Sequence, residues 1–114
     1  MKRVLIGIVS AFVLAAFAGP ASAQDTAKGA KVYADQKCAM CHAIAGKGAA
    51  KGPLDGVGSK LTPDEIRQWI VDPVAMTAKA KATRKPAMQA KYKALPKEDL
   101  DALVSYLASL KKTT

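Results

Sequence analysis

Residues Cys38-Ala39-Met40-Cys41-His42 constrain the fold of this chain more than any other segment. The two cysteines stand three positions apart, and the single histidine of the chain follows the second one directly. Residues three or four apart are neighbours on a helical turn, so the turn offers both thiols and the imidazole on one side of the backbone. The segment therefore indicates a bound group that these three side chains share.

Other uses of cysteine and histidine fit this segment less well. A structural zinc site needs four such ligands, and the chain has three. A thioredoxin-like redox pair expects a βαβ setting, and the sequence has no convincing strand. A disulfide leaves the adjacent His42 unexplained. A Cys–His nucleophilic pair needs side chains that face each other, which adjacent helical residues do not.

The C-x-x-C-H pattern is the attachment pattern of c-type haem. Each cysteine forms a thioether with one haem vinyl group, and the histidine binds the iron from the same side. We therefore predict one covalent haem c, with Cys38 and Cys41 as the thioether residues and His42 as an axial iron ligand.

The first 23 residues have the pattern of a secretory signal peptide. The basic pair Lys2-Arg3 precedes an apolar run over residues 4–17, and small residues then lead to Ala23. The apolar run is shorter than the roughly 20 residues that a membrane-spanning helix needs. We therefore expect cleavage after Ala23, a periplasmic location without stable membrane insertion, and one domain over residues 24–114.

That domain is strongly basic. The full chain has a formal net charge of +9, and the leader holds two basic residues and no acidic one, so the domain keeps +7. Such a charge favours anionic partners. Nucleic acid is a poor candidate, because the chain has an export signal and because its few aromatic residues are not interleaved with the basic ones.

Helical signals occur in three stretches. The first covers about residues 26–37, with Asp25 as its N-cap. The second starts at the capping box Thr62-Pro63-Asp64-Glu65 and stops before Pro73. The third starts near Pro96, and apolar residues repeat along it at helical spacing. The sequence therefore predicts a helical domain.

Two long connections, residues 43–61 and 74–95, separate these helices. Residues 74–81 are rich in alanine and lysine, which favours a short helix. Long irregular segments are uncommon in a compact domain. A haem for them to surround would explain both connections.

From about Thr26 to its end, the chain resembles class I monohaem cytochromes c. Gly29 and Tyr33 match the Gly-x-x-x-aromatic pair in that family's first helix, and Tyr106 matches the aromatic residue of its closing helix. The resemblance implies an all-α cytochrome c fold, in which three main helices and long loops wrap around one covalently bound haem. It also implies that the first and closing helices cross, with Gly29 allowing their close approach.

The resemblance assigns roles to two further residues. In similar proteins, the carbonyl of a proline at the position of Pro53 accepts a hydrogen bond from the axial histidine, which orients the ring and raises its basicity. Trp69 would lie at the haem edge, near a propionate. A half-buried core tryptophan is an equally good interpretation of Trp69.

The second axial ligand is a choice between two methionines. Met40 stands between the thioether positions on the histidine side and cannot reach the opposite face of the haem. Met88 follows Lys85-Pro86 in the loop before the closing helix, where the family places its methionine ligand, and His/Met ligation is common in such carriers. We predict Met88 as the ligand, with Met76 as the alternative.

His/Met ligation leaves no open position on the iron. The predicted function is therefore that of a soluble, monomeric electron carrier, not an enzyme, that passes one electron between redox partners of a periplasmic electron-transport chain. The alternative is a haem enzyme or gas-binding sensor with an open or labile distal position, which requires that neither Met88 nor Met76 binds iron. A subunit of a larger redox complex is a third interpretation.

Basic residues flank Met88 on both sides. In similar proteins, lysines around the exposed haem edge steer acidic redox partners, and a solvated surface is the competing interpretation. The residues concerned are Lys79, Lys81, Arg84, Lys85, Lys91 and Lys93.

Overall fold

The structure, a computed structural model, describes residues 21–112, with side chains from Asp25 onward. The predicted leader, residues 1–23, therefore lies almost wholly outside the described residues. The predicted cut after Ala23 falls in the first turn of the first helix, which comprises Ala21–Asp35.

The described residues are mainly helical, and the all-α prediction is confirmed. The helices are α1 (Ala21–Asp35), α2 (Val57–Lys60), α3 (Pro63–Val71), α4 (Pro73–Ala80) and α5 (Lys97–Ala108), with short 3-10 turns at Cys38–Met40 and Ala90–Ala94. Two short strands, β1 (Ala43–Ile44) and β2 (Lys47–Gly48), form an antiparallel hairpin.

The sequence did not indicate this hairpin. Its two loop residues, Ala45 and Gly46, have φ angles of 52° and 78°, and tight hairpins often require positive φ at both positions. Alanine rarely adopts that conformation. A hydrogen bond of 2.8 Å from the Ala45 amide to the Asp55 carboxylate holds it there, and this contact between residues ten apart has no local sequence signature.

The predicted crossing of the first and closing helices is present. A Cβ atom added at Gly29 would lie 2.1 Å from the carbonyl oxygen of Ala102 and 2.4 Å from Cβ of Tyr106. The rings of Tyr33 and Tyr106 meet edge to face, with centroids 6.0 Å apart. No side chain larger than that of glycine fits at position 29, since the backbone of α1 meets both the backbone of α5 at Ala102 and the side chain of Tyr106 at this point.

The core lies where α3 packs against this crossing pair. Its buried apolar side chains come from α1, α3 and α5, and they are Val32, Tyr33, Ile66, Ile70, Leu100, Leu103, Val104 and Leu107. An ion pair of 2.6 Å between Arg67 and Asp101 joins α3 to α5 at the rim. This core forms one wall of the space in which the functional residues meet.

The two predicted signals around α3 are confirmed. The Thr62 hydroxyl accepts from the Glu65 amide at 3.2 Å, and the Glu65 carboxylate accepts from the Thr62 amide at 3.1 Å. Asp72 then ends α3 and caps α4, accepting from the Ala75 amide at 3.2 Å. The short helix predicted over residues 74–81 is α4, which begins one residue earlier, at Pro73.

The predicted boundaries of the first helix are wrong. Asp25 lies inside α1 and is not its N-cap, because Ala21, Ser22 and Ala23 continue the helix toward the N-terminus; alanine is the best helix former. At the other end α1 stops at Asp35, and Lys37 has left-handed backbone angles of φ 57° and ψ 37°. That left-handed residue turns the chain into the Cys38–His42 segment.

Candidate haem site

The Cys38–His42 segment folds as a tight turn directly after α1. The amides of Cys41 and His42 both donate to the carbonyl oxygen of Cys38, at 3.1 and 3.0 Å. Cys38 is half-buried against the core and Cys41 is exposed, and neither forms a disulfide. Burial raises the pKa of the Cys38 thiol. The turn thus presents one thiol toward the core and one toward its edge.

The imidazole of His42 forms a hydrogen bond with a backbone carbonyl. Its Nδ1 lies 3.2 Å from the carbonyl oxygen of Gly52. A carbonyl can only accept, so Nδ1 carries the hydrogen and Nε2 is left with a lone pair for a metal. Burial lowers the pKa of His42, with a smaller contribution from Arg84 and against the effect of the Gly52 hydrogen bond. This favours the neutral ring, which is the ligand form.

The acceptor is Gly52, where the family resemblance led us to expect Pro53. The backbone explains the one-residue difference. Ala43 and Pro53 form an isolated parallel bridge, in which the Ala43 amide donates to Gly52 at 2.9 Å and the Leu54 amide donates to Ala43 at 2.8 Å. In such a bridge the Gly52 carbonyl points toward the Cys38–His42 segment, and the Pro53 carbonyl does not.

A cavity of about 650 Å³ opens beside the two thiols and the imidazole. A second cavity of about 250 Å³ shares His42, Trp69 and Met88 with the first. The rest of its wall is aliphatic and is formed by Leu54, Val57, Leu61, Ile66, Ile70 and Leu107. Together they form an apolar space of the size that cofactors occupy, with thiols at one edge and an imidazole in its wall.

The structure separates the two candidate methionines. Met88 lines both cavities together with His42. Met76 is 8% exposed within α4 and lines neither cavity. Burial of this kind is typical of a core methionine. The geometry therefore supports Met88 over Met76, and ligation itself stays a prediction.

Trp69 is placed by α3 in the wall shared by both cavities, and it is half-buried. The predicted position at the haem edge fits this placement. The contact with a propionate stays a prediction.

Two residues that line the main cavity had no assigned role there. Tyr92 lies beside the thiols, and burial, followed by the nearby Cys38 and Cys41, raises its pKa. Arg84, expected only as part of a docking face, also donates from its guanidinium to the carbonyl of Cys41. For Tyr92, its spacing from Met88 was the available sequence signal. The contact between Arg84 and Cys41 had no sequence signal, because 43 residues separate the two.

The basic residues around Met88 do not all occupy the same position. Arg84 and Lys91 line the main cavity, and the Lys91 ammonium lies 5.3 Å from the centre of the Tyr92 ring. All six residues of the predicted set are exposed, and four of them line neither cavity: Lys79, Lys81, Lys85 and Lys93.

The donor set fits haem c and does not fit zinc. No group of three or more His, Cys, Asp or Glu residues suited to a metal ion occurs in the part of the chain that the structure describes. Two thiols, an imidazole and an aliphatic cavity are what a covalently attached, iron-containing macrocycle needs.

The family comparison agrees with this geometry. The model of the family described as cytochrome c matches residues 26–111. The chain belongs to the cytochrome c family. Haem c is therefore its cofactor, attached through Cys38 and Cys41. Members of this family function in electron transport and use the haem iron for it. The matched range contains α5, residues 26–35 of α1 and every residue of the site.

One curated relative gives a more distant likeness. Cytochrome c oxidase subunit 2 of Alkalihalophilus pseudofirmus is 28% identical over 93 residues, which cover 74% of this chain and 25% of that protein. The chain thus spans about a quarter of that relative's length. No solved structure matches the chain. Within residues 21–112 there is no helix of the length and apolarity that crossing a membrane requires.

Proposed function

We propose that this cytochrome c is a single-haem electron carrier whose iron is bound by His42 and Met88. The observation that carries the proposal is the cavity wall in which these two side chains occur together, next to both attachment cysteines. With both residues as ligands, the iron would have no site for a substrate, and electron transfer would be the chemistry that the haem supplies.

The chain's own residues would each contribute to that task. Cys38 and Cys41 fix the haem to the backbone, and the haem supplies the one-electron redox couple. Gly52 orients His42 through the Nδ1 hydrogen bond, and such contacts tune a metal ligand. The aliphatic wall excludes water, which keeps the site in a low dielectric and limits reorganisation of solvent around it.

The proposed setting is an exported, soluble protein. Its support is the sequence pattern of residues 1–23, with a cut after Ala23 that would leave a domain over residues 24–114. The basic surface around Met88 would attract acidic redox partners.

A second candidate function follows from the likeness to cytochrome c oxidase subunit 2. The chain would then act as a haem-bearing subunit of a larger redox complex and would receive or deliver electrons within it. Gel filtration of the natively expressed protein separates the two: a carrier elutes as a monomer, whereas a subunit co-elutes with other chains.

Carbon monoxide binding to the reduced protein tests the proposal. We expect a c-type absorption spectrum, a far-red sulfur-to-iron band in the oxidised form, and little change when carbon monoxide is added. Rapid and complete carbon monoxide binding would contradict the proposal, and it would favour a haem enzyme or a gas-binding sensor with an open distal position.

A further inference from the structure

The segment that carries Met88 has few contacts with the rest of the molecule. From Thr83 to Met88, no backbone hydrogen bond joins the segment to any residue that the structure describes. All of these residues except Met88 are exposed. A segment of this kind opens at low free-energy cost, yet it must hold a ligand in place.

One side chain provides a polar connection. The guanidinium of Arg84 donates to the backbone carbonyl of Cys41, which belongs to the haem-attachment turn. In residues 83–88 this is the single hydrogen bond that the described structure shows. The bond therefore joins the Met88 segment to the opposite edge of the cavity.

Gly52 makes the space in which this contact forms. A Cβ atom at position 52 would lie 2.1 Å from Nη1 of Arg84 and 2.1 Å from the carbonyl oxygen of Cys41. The same glycine accepts the hydrogen bond of His42. The contact between Arg84 and Cys41 therefore lies close to His42, although Arg84 belongs to the segment that carries Met88.

We propose that Arg84 is a positioning residue that holds the Met88 segment closed against the haem-attachment turn, and so keeps exogenous ligands from displacing the Met88 sulfur. This inference rests on the proposed function, because it takes Met88 as an iron ligand. A planar guanidinium suits the position, since its several donors lie in a rigid fork.

Imidazole binding to the oxidised, haem-loaded protein measures how easily the segment opens. Imidazole must displace the methionine sulfur, so its apparent affinity includes the free-energy cost of opening the segment. Arg84→Gln removes the guanidinium. We expect imidazole to bind about three- to tenfold more tightly to this variant, as the loss of one hydrogen bond implies.

Lys85→Gln is the matched control. It removes the same charge from the neighbouring exposed position, and Lys85 makes no hydrogen bond in the described structure. We expect its imidazole affinity to stay within about twofold of wild type, since an exposed charge contributes little. Equal affinities for Arg84→Gln and Lys85→Gln would overturn the proposal, because charge alone would then explain the effect.

Two further variants keep the test decisive. Arg84→Lys retains the charge and should bind imidazole with an affinity between those of wild type and Arg84→Gln. If Arg84→Gln does not yield haem-loaded protein, an unchanged affinity in Arg84→Lys overturns the proposal. Met88→Ala tests the ligand separately: an unchanged far-red band there refutes the Met88 assignment, whereas its loss, together with equal affinities for the two glutamine variants, refutes only the role of Arg84.

Discussion

Single residues in this protein have surroundings that their local sequence does not reveal. Tyr33 is the clearest case in the core. It is 9% exposed, and its hydroxyl has no hydrogen-bond partner in the described structure. Burial raises the pKa of Tyr33 to about 12, against about 10 for an exposed tyrosine. The phenol is therefore held neutral at a position where phenylalanine would have the same shape.

Tyr33→Phe tests this account of the buried hydroxyl. The folded-state pKa lies above the unfolded one, so the neutral phenol contributes its full stability below about pH 10, and the contribution is lost as pH rises toward about 12. We expect the free energy of unfolding to fall less steeply over that range in Tyr33→Phe than in wild type. Near pH 7 the variant should equal wild type or exceed it by about 1 kcal/mol, because no hydrogen bond is lost.

Denaturant unfolding at several pH values measures both effects. Parallel pH profiles for the two proteins would contradict the buried, unpartnered state of the hydroxyl. A loss of several kcal/mol near pH 7 would also contradict it, since that result would require a hydrogen bond that the structure does not show.

At the scale of elements, the crossing of α1 and α5 fixes the frame on which the site is built. Gly29 permits that crossing, and the attachment turn follows α1 directly. Any displacement of α1 would therefore move Cys38 and His42 relative to α3 and Met88.

Gly29→Ala should be strongly destabilising. Its added Cβ would meet the backbone carbonyl of Ala102 at 2.1 Å, and overpacking of this kind costs about 1–3 kcal/mol or more. Gly46→Ala is the comparison: position 46 has φ 78° and open space around it, so only backbone strain of about 1 kcal/mol applies. Thermal unfolding of both variants checks the order, and equal losses of stability would contradict the close crossing.

The elements differ in how well the sequence predicted them. The capping box before α3 and the apolar stripe of α5 are local signals, and both helices occur where predicted. The start of α1 was missed because Asp25 is a good N-cap residue preceded by residues that also form helix. The β1–β2 hairpin was missed because Ala45 needs a contact with Asp55 to keep its positive φ.

The site shows the same division. The two cysteines that attach the haem were predicted from the pattern of five adjacent residues, whereas Met88 was predicted from the family resemblance. The partner of His42 was placed one residue too late, because the bridge between Ala43 and Pro53 sets the direction of each carbonyl. The Arg84–Cys41 contact joins residues that are far apart in the chain, so no spacing rule could have predicted it.

For the molecule as a whole, the basic surface near Met88 predicts how electron transfer depends on salt. We expect the rate of oxidation by anionic hexacyanoferrate(III) to fall about tenfold or more as ionic strength rises from about 0.01 M to about 0.15 M, over which the Debye length falls from about 30 Å to about 8 Å. The rate of electron transfer with cationic hexaammineruthenium should instead rise with ionic strength, because salt screens its repulsion from the basic surface.

Charge variants locate this effect on the surface. Lys93→Gln should reduce the salt dependence with hexacyanoferrate(III), whereas Lys60→Gln, which removes the same charge from an exposed lysine at the end of α2, should leave it nearly unchanged. Equal effects at the two locations would show that only net charge matters, and the docking face around Met88 would be wrong.

The central claim for the whole molecule is that His42 and Met88 are the two protein ligands of the iron in a covalently bound haem. The most direct test is the far-red sulfur-to-iron band of the oxidised protein in two alanine variants. The account predicts that Met88→Ala loses this band and has a lower reduction potential, since methionine ligation raises the potential, and that Met76→Ala keeps both. Loss of the band in Met76→Ala with retention in Met88→Ala would contradict the account.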